Sequence, residues 1–431
     1  MAKTPDARER RFRDYLDRLT RALGHEDRRE PLRAYLTGLC LSGERKSIEP
    51  MAALIDPRHV RARHQSMHHF VANAPWEDAA VLHIARDLVL EQMERHGPVG
   101  AWVIDDTAFP KKGQHSVGVA RQYCGVLGKQ DNCQVVVSVT FANEAVSVPA
   151  AYRLYLPEEW AKDRKRRRVA GVPPDVGFRT KWQIALEQIT GLHNEGLPCA
   201  PVVADAGYGD ITEFRDHLTA LPTPYIVGVK KNTSVWPPGQ RPMPPRKTRG
   251  PGRPPSRLRR TARHRPVRVA ALAAALPTTT WRTVTWREGT RGAMQSRFVR
   301  LRVRPAHGDE RRSEPRPEEW LLIEWPRSEP APTKFWFSTL PPTIPFADLV
   351  RLAKIRWRIE RDYQELKDEM GLDHFEGRGW RGFHHHGSLC IAAYAFLAAE
   401  RARLSPPEPL SFLRAARLPK GFTPRGAPGA A

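Results

Sequence analysis

The 431-residue chain carries 70 Lys and Arg against 47 Asp and Glu, a formal net charge of +23 that favours a polyanionic partner unless codon usage alone set it. At 40% hydrophobic residues it can bury a sizeable core in two or three units, and no stretch approaches the roughly 18 uninterrupted apolar residues of a membrane span. Five cysteines without a Cys-x-x-Cys pair exclude a disulfide framework or cysteine zinc site, and with a charged N-terminus lacking an apolar signal segment they point to a reducing cytoplasm.

Residues 7 to about 95 read as helical, because apolar residues recur at helical spacing in FRDYLDRLTRAL (12–23), LRAYLTGLCL (32–41) and DAAVLHIARDLVLEQM (78–93). A helical, DNA-binding unit is expected over 1–95, although no helix-turn-helix spacing names base-reading residues. From residue 99 the texture changes to strand-like runs, GAWVIDDT, HSVGVARQYCG, DNCQVVVSVTFAN and AVSVPAAYRLYL. The run Lys162, Arg164–Arg168 then reads as a solvated or DNA-facing loop. A helix over 178–192 leads to the buried-type strand PVVA, followed by the helix ITEFRDHL and the strand PYIVGVK. Strands in sequence followed by alternating helices and strands predict a mixed α/β (α+β) sheet flanked by helices, with 96–230 as its first part.

From Pro237 to Pro266 there are nine prolines and ten Lys or Arg with no acidic residue, which predicts an extended or mobile basic loop. Strand-like runs resume with TVTW, RFVRLRV, EWLLIEW and KFWFSTL, so 231–345 is expected to be a basic loop and β-rich insertion. A long helical pattern runs from Phe346 to Met370 and a second over 385–403, completing the mixed domain across 346–404. The Pro/Arg/Gly-rich stretch 405–431 is expected to be a disordered basic tail.

Three acidic positions stand where catalysis would use them. Asp105–Asp106 end the apolar run AWVI, Asp205 ends PVVA, and Glu360 lies in the helical segment IRWRIERDYQELK. Strand C-terminal ends feed loops on one edge of a sheet, so two such aspartates can converge. Carboxylate oxygens suit Mg²⁺ or Mn²⁺, and two ions about 4 Å apart can activate an attacking oxygen and steady a leaving one at a phosphodiester. Neighbouring strand residues point to opposite faces, so at most one of Asp105 and Asp106 is a primary ligand. Each acid also has a plainer reading, as a helix cap or a solvated helix face. Spacing alone does not bring Glu360 to the aspartates.

Three stretches carry a resemblance: IDDTAFPKKGQHSVGVARQYCG (104–125), VVADAGYG (202–209) and RWRIERDYQELKDEMGLDHFEGRGWRGFHHH (356–386). They resemble bacterial insertion-sequence transposases of the DDE type whose last acid sits in a Tyr-x2-Arg-x3-Glu-x6-Lys helix, and most of all insertion sequence family 701. The resemblance covers most of residues 30–400 and implies a ribonuclease-H-like core with a β-rich insertion before the catalytic helix. It implies that Asp106, Asp205 and Glu360 hold two Mg²⁺ ions, with Mn²⁺ able to substitute and Asp105 the less favoured choice. Arg356 and Lys367 fall on the signature Arg and Lys, implying contacts to the phosphate near the cleavage site, and Lys111 and Lys112 are candidates for further phosphate contacts. The signature Tyr is missing, since position 353 is Ala. The implied activity is cut-and-paste transposition: metal-dependent cleavage of transposon ends, then strand transfer into target double-stranded DNA by a homodimer at the nucleoid. A nuclease without strand transfer and a decayed DNA-binding protein are the alternatives.

The helix makes physical sense of its spacing, because Arg356, Glu360 and Lys367 are four and seven residues apart and share a face. Glu365 lies well around the helix and reads as a salt-bridge or surface residue. His384–His386 cannot share one face and hard Mg²⁺ does not seek imidazole, so a structural or phosphate-contact role is expected. Gly252–Arg253–Pro254 has the form of a minor-groove arm, a pattern short enough to arise by chance. Trp320, Trp325 and Trp336 crowd the inserted strands. In related transposases an insertion-domain Trp receives a flipped base, which makes Trp336, or after it Trp320, a base-stacking candidate, although alternating aromatics in strands read first as core.

Overall fold

In the computed structural model the described residues are 7–246, 256–289 and 292–405. Five helices come first: α1 (Ala7–Leu23), α2 (Arg29–Cys40), α3 (Ile48–Ile55), α4 (Val60–Ala72) and α5 (Asp78–His96). Strands β1 (Ala101–Pro110), β2 (Ala120–Cys124), β3 (Lys129–Ala142) and β4 (Ser147–Leu154) follow, then α6 (Glu158–Lys162), α7 (Arg164–Ala170) and α8 (Lys181–Asn194). Next come β5 (Val202–Ala204), α9 (Ala206–Gly209), α10 (Thr212–Ala220) and β6 (Tyr225–Val229). Beyond β6 lie β7 (Ser234–Trp236), β8 (Val267–Arg268), α11 (Val269–Ala274), β9 (Arg282–Gly289), β10 (Gly292–Pro305), β11 (Glu319–Trp325) and β12 (Lys334–Ser338). The last helices are α12 (Phe346–Lys354), α13 (Trp357–Asp368) and α14 (Trp380–Leu404).

Among the described residues the strands form one mixed sheet in the order β2-β3-β1-β5-β6-β12-β11-β10-β7-β8, with β4 on β3 and β9 on β10. β1 runs antiparallel to β3 and parallel to β5, and β5 runs parallel to β6. Parallel neighbours need a crossover, and both of their faces are covered, which is why VVA and YIVGV are unbroken apolar runs buried along their length. The strands past β6 continue this sheet: Phe335 of β12 pairs with Val229 of β6 and shields an edge that would otherwise be open and apolar. The basic stretch is also tied down in part, since Met243 bridges Arg259 and Arg260 bonds Asp309. Gly252–Arg253–Pro254 and the tail 406–431 lie outside the described residues.

Two expected boundaries move. The helical pattern from Phe346 to Met370 breaks at Ile355–Arg356 into α12 and α13. The final helix begins at Trp380 rather than 385, so His384–His386 sit inside it, buried. Their rings meet the backbone carbonyls of Trp380, Val71, Trp76 and Gly371, and burial lowers all three imidazoles. His385 and His386 tie α14 to the N-terminal helices, and His384 accepts from the Leu154 amide of β4.

α14 is buried nearly all round because the N-terminal helices cover the side that the sheet leaves free. Tyr15 donates to the Ala392 carbonyl at 3.1 Å, Tyr35 lies 2.8 Å from the His386 ring nitrogen, and Arg11 Nε reaches Glu400 at 2.6 Å. One apolar core therefore runs from Tyr15 to Ala402. Leu389 lies at its centre with 0% exposure. Leu389→Ala should destabilise the chain by about 2–5 kcal/mol. Because the core is shared, melts followed by helical circular dichroism and by Trp fluorescence should shift together, whereas a shift in one signal only would contradict the shared core.

Candidate active site

Asp105 and Asp106 do not end their strand. β1 continues to Pro110, paired with β3 throughout, so both aspartates stand mid-strand and point to opposite faces. On one face, Asp105 Oδ2 accepts from the Arg356 guanidinium at 2.8 Å, just ahead of α13. On the other, Asp106 Oδ2 accepts from Lys181 Nζ at 2.6 Å, at the start of α8.

Asp205 leaves β5 as the N-cap of α9, accepting from the Gly207 amide at 2.8 Å and the Tyr208 amide at 3.3 Å. The Gly-rich turn exists because α9 rides directly on β6. A Cβ at Gly209 would fall 2.1 Å from the Gly228 carbonyl oxygen, so no side chain fits there. Glu360 is exposed in the first turn of α13, one turn past Arg356.

The electrostatics join these acids. Burial raises the Asp105 carboxyl to about 6 against the pull of Arg356, and the charges of Asp205 and Asp106 push the same way as burial. Burial works to lower Arg356, but the charges of Asp105, Asp205 and Glu360 outweigh it and raise the guanidinium. The Tyr208 hydroxyl is driven well above its ordinary range by burial, then by Asp106, Asp105 and Asp205. One guanidinium thus feels Asp105, Asp205 and Glu360, and one hydroxyl feels all three aspartates.

A cleft of about 400 Å³ opens beside them, lined by Asp205, Arg356, Glu360, Trp286, Trp336 and Trp357 among others. Arg287 lies 3.9 Å above the Trp357 ring and Lys354 4.4 Å from that of Trp286, so the walls are aromatic and basic together. Trp336 is buried, with one surface on the cleft. Trp320 is structural: its indole donates to the Pro341 carbonyl at 3.2 Å, and Arg300 and Arg302 stack against it.

The other expected phosphate contacts are differently employed. Lys367 Nζ donates to the Ala108 carbonyl at 3.1 Å and Lys111 Nζ to that of Phe375 at 2.8 Å. Burial lowers both ammonium groups. Lys112 is exposed. Ala353, in place of the signature Tyr, is buried against the cleft. Glu365 is held between Arg361 at 2.9 Å and Arg401 at 2.6 Å, the salt-bridge role its spacing suggested.

Among the described residues, no three of Asp, Glu, His and Cys are gathered closely enough to hold a metal ion as the side chains lie. The aspartates of β1 are balanced instead by Lys181 and Arg356. The donor chemistry still fits a hard divalent cation, because the clustered groups are carboxylates with no imidazole or thiolate among them. Lys181 and Tyr208 escape sequence reading. Thr180 and Gln183 form a capping box that marks the start of α8, but nothing in the spacing ties Lys181 to Asp106.

A large mixed sheet with acids converging from β1, from the end of β5 and from a helix past the added strands is what a nuclease of this kind needs. The profile of the family described as DDE superfamily endonuclease matches residues 18–293, and the chain belongs to that family. The matched stretch includes Asp105, Asp106 and Asp205 and stops short of Glu360. A probable transposase for insertion sequence element IS701 from Microchaete diplosiphon is 31% identical over 203 residues, 47% of this chain and 49% of that relative. The chain thus spans about half the length of the curated relative it matches. Among the described residues no helix is long and apolar enough to cross a membrane.

The helix that carries Glu360 is anchored by Asp362, whose buried carboxylate accepts from Ser147 and Tyr394, each at 2.7 Å. Burial raises this acid from 3.8 to about 6. A folded value above the unfolded one means that the native carboxyl takes up its proton first as pH falls. The burial cost is therefore present above pH 6 and relieved between about pH 6 and 4. Asp362→Asn removes that titration, so the thermal midpoint of wild type should rise relative to the variant between pH 8 and pH 5. A difference that does not change with pH would contradict the assignment.

Proposed function

We propose that the chain is the transposase of an insertion sequence, a Mg²⁺-dependent endonuclease that cuts at the element's ends and joins the freed 3′-hydroxyls to target DNA. The observation that carries this reading is the convergence of acids from β1, β5 and α13 on Arg356, in a strongly basic chain of an endonuclease family. The strand order β4-β3-β1-β5-β6, antiparallel through β4, β3 and β1 and parallel from β1 to β6, supports a ribonuclease-H-like core. In this reading 1–95 binds the element's ends, 96–230 with 346–404 forms the catalytic core, and 231–345 is an insertion.

Asp105, Asp205 and Glu360, the three acids that Arg356 feels, would hold two Mg²⁺ ions, with Mn²⁺ able to replace them; Asp106, the choice the resemblance favoured, points to the other face of the sheet. Of the β1 pair, Asp105 continues the parallel register that sets Val103 beside Val203, on the face of Asp205 and α13, whereas Asp106 is paired with Lys181 on the other face. Taking an ion would release Asp105 from Arg356. Bound ions supply an activated water or 3′-hydroxyl oxygen and charge stabilisation for the leaving oxygen. Arg356, beside Glu360 on the cleft, would hold the scissile phosphate, joined by Lys367 once it leaves the Ala108 carbonyl and by Lys111 and Lys112. Water and DNA hydroxyls do the attacking, so no protein nucleophile is needed. Trp336, on the cleft wall, would stack on an unpaired base, a contact worth about 1–3 kcal/mol. Cutting two ends together suits a homodimer on double-stranded DNA, acting in the cytoplasm at the nucleoid.

The test is Mg²⁺-dependent cleavage of a duplex carrying the element's ends, with a plasmid as target for joining. Glu360→Gln and Asp205→Asn should each lose more activity than the roughly 10–100-fold that a supporting residue costs, with DNA binding retained. Cleavage that never yields a joined product would leave a nuclease. Binding that persists in EDTA, with no product in Mg²⁺, would leave a DNA-binding protein that has lost its chemistry.

A further inference from the structure

Five consecutive cations, Arg164 to Arg168, form a short helix rather than the loop expected for them. Asp163 caps its start by accepting the Arg166 amide at 2.9 Å, and Gly171, at φ 66°, ends it in the left-handed region. The five divide by face. Arg166 lies 3.8 Å from the centre of the Trp160 ring and donates to the Gln114 carbonyl at 3.2 Å. Arg167 donates to the carbonyls of Ala161, Pro173 and Pro174. These two fix the helix to the body of the protein. Arg164, Lys165 and Arg168 point outward, exposed, and among the described residues none has an acid within ion-pair distance. Lys162, by contrast, is paired with Glu158 at 2.7 Å.

Holding three unpaired cations on one turn of helix costs self-repulsion that folding does not repay. Exposed Glu159 and Asp175 flank α7 along the chain, but toward Gln114 the surface is basic. Through Gln114, α7 adjoins the loop 111–118, which holds exposed Lys112 and His115 and no acid. That loop in turn bonds the next segment, the Val117 amide donating to the Arg378 carbonyl at 3.1 Å, where Arg378 and Arg381 are exposed. The nearby Glu376 is taken by Arg45. One basic band therefore runs from α7 across the loop after β1 to the start of α14.

We propose that this band, centred on Arg164, Lys165 and Arg168, grips the phosphate backbone of duplex DNA flanking the cleavage site. The proposal rests on the endonuclease reading and adds to it the surface that holds the substrate. β1 links the two places: the six residues from Asp106 to Lys112 span at most about 20 Å. At about 3.4 Å per base pair, a duplex with its phosphate at the carboxylates meets the band roughly six pairs away. Two arginines spent on rigidity hold the backbone that carries the other three cations, so little backbone freedom is lost on contact. Contacts of this kind position a duplex without reading its sequence.

The experiment measures binding of the full chain to a duplex by fluorescence anisotropy between 50 and 200 mM salt. It compares wild type with Arg164→Gln/Lys165→Gln/Arg168→Gln and with a charge-matched control at exposed arginines outside residues 1–95, Arg268→Gln/Arg282→Gln/Arg327→Gln. These three lie on β8, on β9 and just past β11, in the half of the sheet farthest from β2. Removing three phosphate contacts should flatten the log–log salt slope by about 2.7, so that wild type loses about 40-fold more affinity than the α7 variant over that range. Trimming both flanks to about five pairs should erase the difference. An unchanged slope in a variant that melts like wild type, or an equal loss in the control, would overturn the proposal and leave the run a solvated face. If wild type itself binds no duplex, the endonuclease reading fails with it.

Discussion

Three aspartates within electrostatic reach of one tyrosine hydroxyl repel one another, so cations have to stand among them. In this chain the cations are side chains: Arg356 against Asp105 and Lys181 against Asp106, with Asp205 spent on capping α9. The compensation is incomplete, since burial and the neighbouring acids still raise Asp105 to about 6. In the proposed site a divalent cation would relieve the deficit that Arg356 leaves at Asp105.

The fold is arranged around that cluster. The parallel pairing of β1 and β5 brings Asp205 beside the β1 aspartates, and the close ride of α9 on β6, possible only with Gly209 and Gly228, fixes the turn that follows. The break at Ile355–Arg356 frees α13 to turn Arg356 toward Asp105 while Glu360 faces the cleft. Anchors behind the helix, Asp362 with Ser147 and Tyr394, hold it against β4 and α14. The N-terminal helices complete the frame by burying the other side of α14, so the same core that stabilises the chain positions the acid-bearing helix.

Much of this was legible in the residues. WVI, VVA and YIVGV read as strands because their apolar runs are buried on both faces, and the spacing of Arg356, Glu360 and Lys367 marked the helix that matters. What escaped depends on distant pairing or on signals too quiet to weigh. Two acids in DDTAFP interrupt the apolar pattern, so only the ladder with β3 shows that β1 runs on to Pro110. No Gly or Pro marks the break between α12 and α13. The polar stretch WRGFHHHGS looks unlike a buried helix until the N-terminal helices are packed on it. Asp163 and Gly171 bracket the arginine run as cap residues do, a local signal overshadowed by its charge. Which face each of Asp105 and Asp106 serves depends on α8 and α13, far away in sequence.

The central claim is that these carboxylates make a divalent-metal site, and Mn²⁺ binding to the DNA-free chain, followed by electron paramagnetic resonance, tests it most directly. Wild type should bind the ion, and Asp205→Asn and Asp105→Asn should each weaken binding at least about tenfold. Equal Mn²⁺ affinity in wild type and both aspartate variants would contradict a metal site built from these residues.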